Sequence, residues 1–130
     1  MKYGVIAAVS AVLMVGACAS APSSDDSSAE SVTFSYPAPV VQKAAVSALR
    51  DTGFDVEKAE PLYVEGFHSR RIGLVVGSGG ETVGVWIDPL TSSSSRAKVA
   101  TEKSIVGIVG QKSWNTEIIA AMRNKLAAGQ

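Results

Sequence analysis

Disulfides are out of reach for this chain, because its 130 residues include one cysteine, Cys18. Any fold it adopts must be held by its core alone. Histidine is equally scarce. His68 stands alone, and Cys18 closes an apolar segment outside any foldable stretch. A zinc site takes three or four nitrogen, sulfur or carboxylate ligands, so donors run short. Calcium loops space their carboxylates along one turn. No Asp-x-Asp-x-Asp occurs, and Asp25-Asp26 sits in a polar stretch, so no metal is expected. A surplus of either charge is missing as well: 12 basic and 12 acidic side chains cancel. Nucleic-acid binding needs a basic field to neutralise phosphates, and Arg70-Arg71 is the only adjacent basic pair. Nucleic acid is therefore not an expected partner. The apolar run over residues 4–16 also falls short of the roughly 20 residues that a spanning helix needs.

What the N-terminus does contain reads as an export signal. Met1-Lys2-Tyr3 gives a short positive start, the apolar run follows, and small residues close it at Gly16 and Ala17. Val15-Gly16-Ala17-Cys18 resembles the lipobox of bacterial lipoproteins: an aliphatic residue, two small ones, then Cys. That resemblance implies a diacylglyceryl group on the Cys18 thiol, cleavage before Cys18, and acylation of the new amine. Cleavage would remove Lys2, leaving 11 basic against 12 acidic side chains. Several acyl chains, each contributing about 0.8 kcal/mol per buried CH₂, anchor firmly. Ala19 follows the cysteine, where Asp would resemble an inner-membrane retention signal. A palmitate-bearing protein of the cell envelope is expected, in the outer membrane facing the periplasm where the source has two membranes.

Three segments follow from this reading. Residues 1–17 are the lipoprotein signal peptide. Residues 18–31 are the lipidated Cys and a Ser/Asp-rich tether with no aliphatic side chain larger than Ala, which cannot bury enough surface to offset ordering entropy. A flexible chain of that length spans about 20 Å root-mean-square. Residues 32–130 form one small domain, long enough for a modest two-layer core. Val32 to Tyr36 alternates and is β-prone, and prolines at 37 and 39 end it. Residues 40–52 read as a helix, with Val41, Ala45, Ala48 and Leu49 on one face and Gly53 as its stop. Period-two segments then cover residues 54–58, 63–76 with a bulge near Arg70-Arg71, 81–88 and 97–101. Turns are expected at Gly77-Ser78-Gly79-Gly80 and at 92–95. A final helix from Ser113, a fair N-cap, to Ala127 carries a stripe of Trp114, Ile118, Met122 and Leu126, widened by Ile119. Lys125 and Arg123 sit where the helix dipole favours cations. The expected fold class is α+β: a two-layer sandwich, an antiparallel four-stranded meander with two helices packed on one face.

This order resembles small bacterial lipoproteins that carry an α-β-β-β-α domain of unknown function. The shared features are the aromatic opening strand followed by Pro, the Leu49-x-x-x-Gly53-Phe54 turn, the strand Val85-Trp-Ile-Asp-Pro-Leu90, and Gly107-x-x-Gly110-Gln111-x-x-Trp114. The resemblance spans most of residues 32–127, rests on structural motifs, and implies no catalytic residue.

Residues that could carry chemistry are few. Gly107-Ile-Val-Gly110-Gln111-Lys112-Ser113 looks like a phosphate loop, yet that loop needs Gly directly before Lys, where Gln111 stands, so nucleotide is not expected. His68 has no Gly-x-Ser-x-Gly elbow to serve and is expected as a surface histidine of the sheet. Glu57, Glu60, Glu65, Glu81 and Asp88 are scattered, and nothing marks two of them as facing one cleft for acid–base work. Trp86 falls out of phase with Val85 and Ile87, which points it away from the helices, where an aromatic can anchor a partner or cover an open sheet. The apolar stretch with Ile105, Val106 and Ile108 is a second contact candidate. The expectation is a membrane-anchored, non-enzymatic envelope lipoprotein, a protein-interaction or structural module without cofactor. Its partner would be another envelope protein or a second copy. A module that binds a small ligand or cell-wall fragment is the alternative.

Overall fold

A computed structural model describes residues 21–72, 75–103 and 113–129. The elements run β1 (Glu30–Phe34), α1 (Ala38–Asp51), β2 (Asp55–Glu60), β3 (Tyr63–Ile72), β4 (Val75–Thr91), β5 (Ser94–Lys103) and α2 (Asn115–Ala127). The five strands form one antiparallel sheet in the order β1-β5-β4-β3-β2. Strands β2 to β5 are the expected meander. The opening segment joins it as a fifth strand, because Phe34 buries its ring in the core and β1 pairs from Glu30↔Val99 to Phe34↔Ser95.

Period two decides which side chains meet the helices. Val64 of β3, Val83, Val85 and Ile87 of β4, and Ala97 and Val99 of β5 share one face. They join one buried cluster with Val41, Ala45, Ala48 and Leu49 of α1 and Ile118, Ile119, Met122 and Leu126 of α2. Both helices thus lie on the same face, as the two helical stripes require. Helix α1 opens at Ala38, two residues ahead of the expected Val40, since Pro39 sits in the first turn, where its missing N–H goes unused. It ends in a Schellman motif: Gly53 N–H reaches the Arg50 carbonyl at 3.1 Å, and Phe54 N–H reaches that of Leu49 at 2.9 Å. Gly53 adopts φ +92° there, which few other residues tolerate. The two helices are also joined at their C-terminal ends by an ion pair between Lys125 and Asp51. The Tyr36 hydroxyl donates to the Leu126 carbonyl at 3.3 Å.

Three expectations change. Residues 77–80 are not a turn but part of β4, which stays paired with β3 as far as Arg71↔Val76 and Ile72↔Val75. The bulge lies where expected, as a register shift between Ser69 and Arg71. Second, the reversal between β4 and β5 needs only Ser92-Ser93, because Thr91 pairs with Ser94 and its Oγ1 lies 2.8 Å from the Ser94 hydroxyl. Third, Ser113 is exposed and does not cap α2; the cap residue is Trp114. Thr101 fixes the entry to the helix, accepting from Trp114 N–H at 3.0 Å and donating to Asn115 Oδ1 at 2.7 Å. Asn115, fully buried, passes the link on to the Ser28 carbonyl at 2.9 Å.

That last bond belongs to the segment expected as a loose tether. Asp26 and Ala29 N–H groups close backbone turns on Ser23 and Asp26, and the Asp26 carboxylate accepts from Ser28 N–H and Oγ at 2.8 Å. These two bonds hold the Asp26 carboxyl below its ordinary range. Pro22 is buried against Gly84 of β4. Composition made this stretch look unable to order itself. The sheet and α2 supply surface for it, at Gly84 for Pro22 and at Asn115 for the Ser28 carbonyl.

Candidate functional site

Two clusters of polar and aromatic side chains stand on opposite faces of the sheet. On the helix side, the parity that buries Val64 also turns His68 inward, opposite Glu81 in the β3–β4 register. His68 is therefore not on the open sheet surface. Its ring lies 5.2 Å from those of Phe54 and Trp114, which themselves meet edge to face at 5.2 Å. The Nδ1 atom is buried without a hydrogen bond, and the Glu81 carboxylate, only 5% exposed, stands 3.7 Å away. That distance is too long for a hydrogen bond and becomes an ion pair once the ring takes a second proton. Gly53 packs along the imidazole edge: a Cβ there would lie 3.6 Å from Cδ2 and 3.7 Å from Nε2. A carboxylate behind an imidazole is the arrangement that orients a base. No hydroxyl among the described residues is hydrogen-bonded to His68 Nδ1.

The outer face is built around β3 and β4. Tyr63 and Trp86 are cross-strand partners with ring centroids 5.2 Å apart, tilted by 37°. The Tyr63 hydroxyl donates to Glu65 Oε1 at 3.1 Å, and Lys58 Nζ approaches Glu65 Oε2 at 3.7 Å. Burial raises the Tyr63 phenol's pKa, and the bond to Glu65 and the charges of Glu65 and Glu60 push it the same way. Glu65 is almost fully covered although it points away from the helices. The Trp86 ring lies back over Gly84, whose missing side chain leaves room: a Cβ there would fall 2.8 Å from Trp86 Cη2 and 3.0 Å from Pro22 Cβ. Pro22, Gly84, Trp86 and Tyr63 thus form one continuous surface.

The anticipated positions divide accordingly. Trp86 lies on the outer face, half-buried, as its phase requires. Trp114 begins the α2 stripe, half-buried against the core. Cys18, Ile105, Val106, Ile108 and the glycine loop at 107–112 lie outside the described residues. The five scattered carboxylates do not converge: Glu65 and Glu81 are buried on opposite faces, while Glu57, Glu60 and Asp88 are exposed. No group of three or more metal-ligating side chains occurs among the described residues. Sequence reasoning missed the docked Pro22 and the pairing of His68 with Glu81. The second needs only the β3–β4 register, which the unexpected position of the turn concealed.

A third feature is an open hollow of about 300 Å³ between the start of α1 and the β2–β3 turn, lined by Ala38, Pro39, Gln42, Lys43, Ala59, Pro61 and Leu62. Its walls are mostly apolar, and Leu62 is 48% exposed at its rim.

Together these features define an α+β sandwich with one five-stranded antiparallel sheet and two helices on one face. No family model matches the chain, and no curated protein matches it. Among solved structures it is similar to the di-domain ARO/CYC BexL from the BE-7585A biosynthetic pathway, with 7% identity and a TM-score of 0.35 over 77% of this chain and 43% of that one. It is also similar to the Zhui aromatase/cyclase from Streptomyces sp. R1128, with 9% identity and a TM-score of 0.34 over 78% of this chain and 86% of that one. This chain spans under half of the first. Likeness at this level says nothing of activity.

Proposed function

We propose that this protein is a lipid-anchored lipoprotein of the cell envelope whose small α+β domain acts without catalysis, as an interaction or structural module. The observation that carries the reading is the order of residues at the N-terminus: a positive start, an apolar run too short to span, and Val15-Gly16-Ala17-Cys18 at its end. No helix among the described residues is long and apolar enough to cross a membrane, so in this reading the acyl chains on Cys18 supply the attachment. Outer-membrane placement rests on Ala19. The module reading draws support from the aromatic outer face formed by Tyr63 and Trp86.

The test is metabolic labelling with an alkyne analogue of palmitate in bacterial cells expressing the full chain. Wild type is expected to take the label and sediment with membranes. Cys18→Ala is expected to lose the label completely and to remain at the length of the unprocessed precursor. An unlabelled wild type recovered in the soluble fraction would overturn the reading.

One observation favours binding of a small ligand as a second reading, namely the apolar hollow beside Leu62. Ligand pockets are mostly apolar with a few polar groups for orientation, which Gln42 and Lys43 would supply. A true ligand raises the unfolding midpoint by mass action. A screened compound that raises it in wild type is expected to lose that effect in Ala59→Trp, which fills the hollow. An equal shift in both proteins would remove the hollow from consideration.

A further inference from the structure

Among the described residues both helices pack on the other face of the sheet, and the segment at Pro22 is held on the outer one. Pro22 is buried there against Gly84, where a Cβ would meet both Pro22 and the Trp86 ring. Cys18 precedes Pro22 by four residues, and four residues reach at most about 14 Å when fully extended. Building on the lipid-anchor reading above, we propose that the surface formed by Pro22, Trp86 and Tyr63 is the face this domain turns toward the lipid bilayer. A leash of fourteen loose residues would let the domain tumble. A leash pinned at Pro22 cannot swing the helix layer, on the other side of the sheet, to the membrane while that contact lasts.

The chemistry of the face fits a headgroup layer. Tryptophan and tyrosine carry an apolar body with one polar handle, and they gather where one end is apolar and the other wet. Lys58 and Lys98 stand on the same face, with stems able to lie along the surface while the amines reach phosphates. The carboxylate of Glu65 would oppose such contact if it were bare. It is covered instead, bonded by the Tyr63 hydroxyl and approached by Lys58. Gly84 completes the arrangement, since any side chain there would lift both the Trp86 ring and Pro22 off the strand.

The chain's two tryptophans make the face measurable, because Trp114 lies on the helix side of the sheet. The full-length lipoprotein is purified from membranes and reconstituted into phosphatidylcholine vesicles doped with a headgroup nitroxide lipid. Trp114→Phe leaves Trp86 as the sole emitter, and Trp86→Phe leaves Trp114. Circular dichroism confirms that both variants fold. Trp86 is expected to lose most of its emission to the nitroxide and Trp114 little. Adding Pro22→Ser to each variant, a change in the surface segment alone, is expected to bring the two losses together as the leash lengthens. Equal quenching of the two tryptophans with Pro22 intact, or stronger quenching of Trp114, overturns the proposal, as expected if the outer face binds a protein instead. Quenching of Trp86 that persists unchanged in Pro22→Ser also overturns it, because the pinned leash would not be what orients the domain. Mass spectrometry of the N-terminal peptide separates this from the anchor itself. If Cys18 carries no lipid, the anchor reading fails. Coupling the same single thiol to a maleimide phospholipid then judges the face on its own.

Discussion

Leu49→Ala is expected to lower the unfolding free energy by about 2–5 kcal/mol, the range for deleting three carbons from a core that relaxes only in part. Leu49 has no exposed surface and is among the largest fully buried side chains. It is tied down from two directions. Its carbonyl accepts the Phe54 N–H that closes α1, and its Cδ atoms lie 3.2 and 3.3 Å from where a Cβ would stand on Gly66 of β3. The helix end and the sheet are therefore closed around this one side chain, and neither can move in to fill the space. A domain of this size has a total stability of about 5–15 kcal/mol, so the loss is a large share. Urea denaturation followed by far-ultraviolet circular dichroism reads it as a lower midpoint with an unchanged slope. Leu49→Met, which keeps the volume, is expected to cost less than about 1.5 kcal/mol. A loss below that figure for the alanine variant would mean that the α1–β3 contact closes over the gap.

That residue was legible because its signals agree. The helical period put Leu49 on the stripe with Val41, Ala45 and Ala48, and Gly53-Phe54 marked the stop. The α2 stripe and the alternation of Val83, Val85 and Ile87 were equally plain, and the same alternation turned Trp86 outward. Elsewhere one residue type served two physical ends. Glycine marks a turn when φ is positive, and it marks a close approach when it is not. Gly53 is the first kind. Gly80 and Gly84 are the second, with no positive φ, and a reading of composition takes the Gly77–Gly80 cluster for a loop. Ser113 resembled an N-cap by its neighbours, but the cap position falls on Trp114, whose N–H is held by Thr101 of β5. Pro22 gave no local sign at all. Its burial depends on a bare patch of β4 far along the chain, which no window of sequence contains. The same holds for His68 and Glu81, whose meeting is a matter of register. What was legible was periodic and local; what was hidden depends on contacts between distant segments.

Gly80→Ala puts the second kind of glycine to the test, and it is expected to destabilise more than the same change at Gly84. A Cβ on Gly80 would stand 2.5 Å from the His68 carbonyl oxygen and 2.7 and 2.9 Å from the Phe67 ring. The ring can swing aside. The carbonyl cannot, because it belongs to the β3 backbone one residue before Ser69, the direct partner of Gly80 and the last pair before the register shift. Relief therefore requires the two strands to part at that pair. Overpacking costs typically about 1–3 kcal/mol where side chains absorb it, so a clash with backbone belongs at the upper end or beyond. At Gly84 the nearest atoms are the tip of the Trp86 ring and Pro22 on the surface segment, which can shift without parting two strands, and the loss belongs at the lower end. Position decides the second consequence. Gly80 adjoins Glu81, so separating the strands also withdraws the Glu81 carboxylate from His68. Urea denaturation of the two alanine variants gives the energies, and the His68 imidazole resonances in proton–nitrogen spectra report the local change. Gly80→Ala is expected to shift those resonances, while Gly84→Ala, which does not part the strands beside Glu81, leaves them in place. Equal midpoints for the two variants, with His68 undisturbed in both, would show that β3 and β4 do not approach so closely at Ser69↔Gly80 and that the bulge beyond it has room to spare.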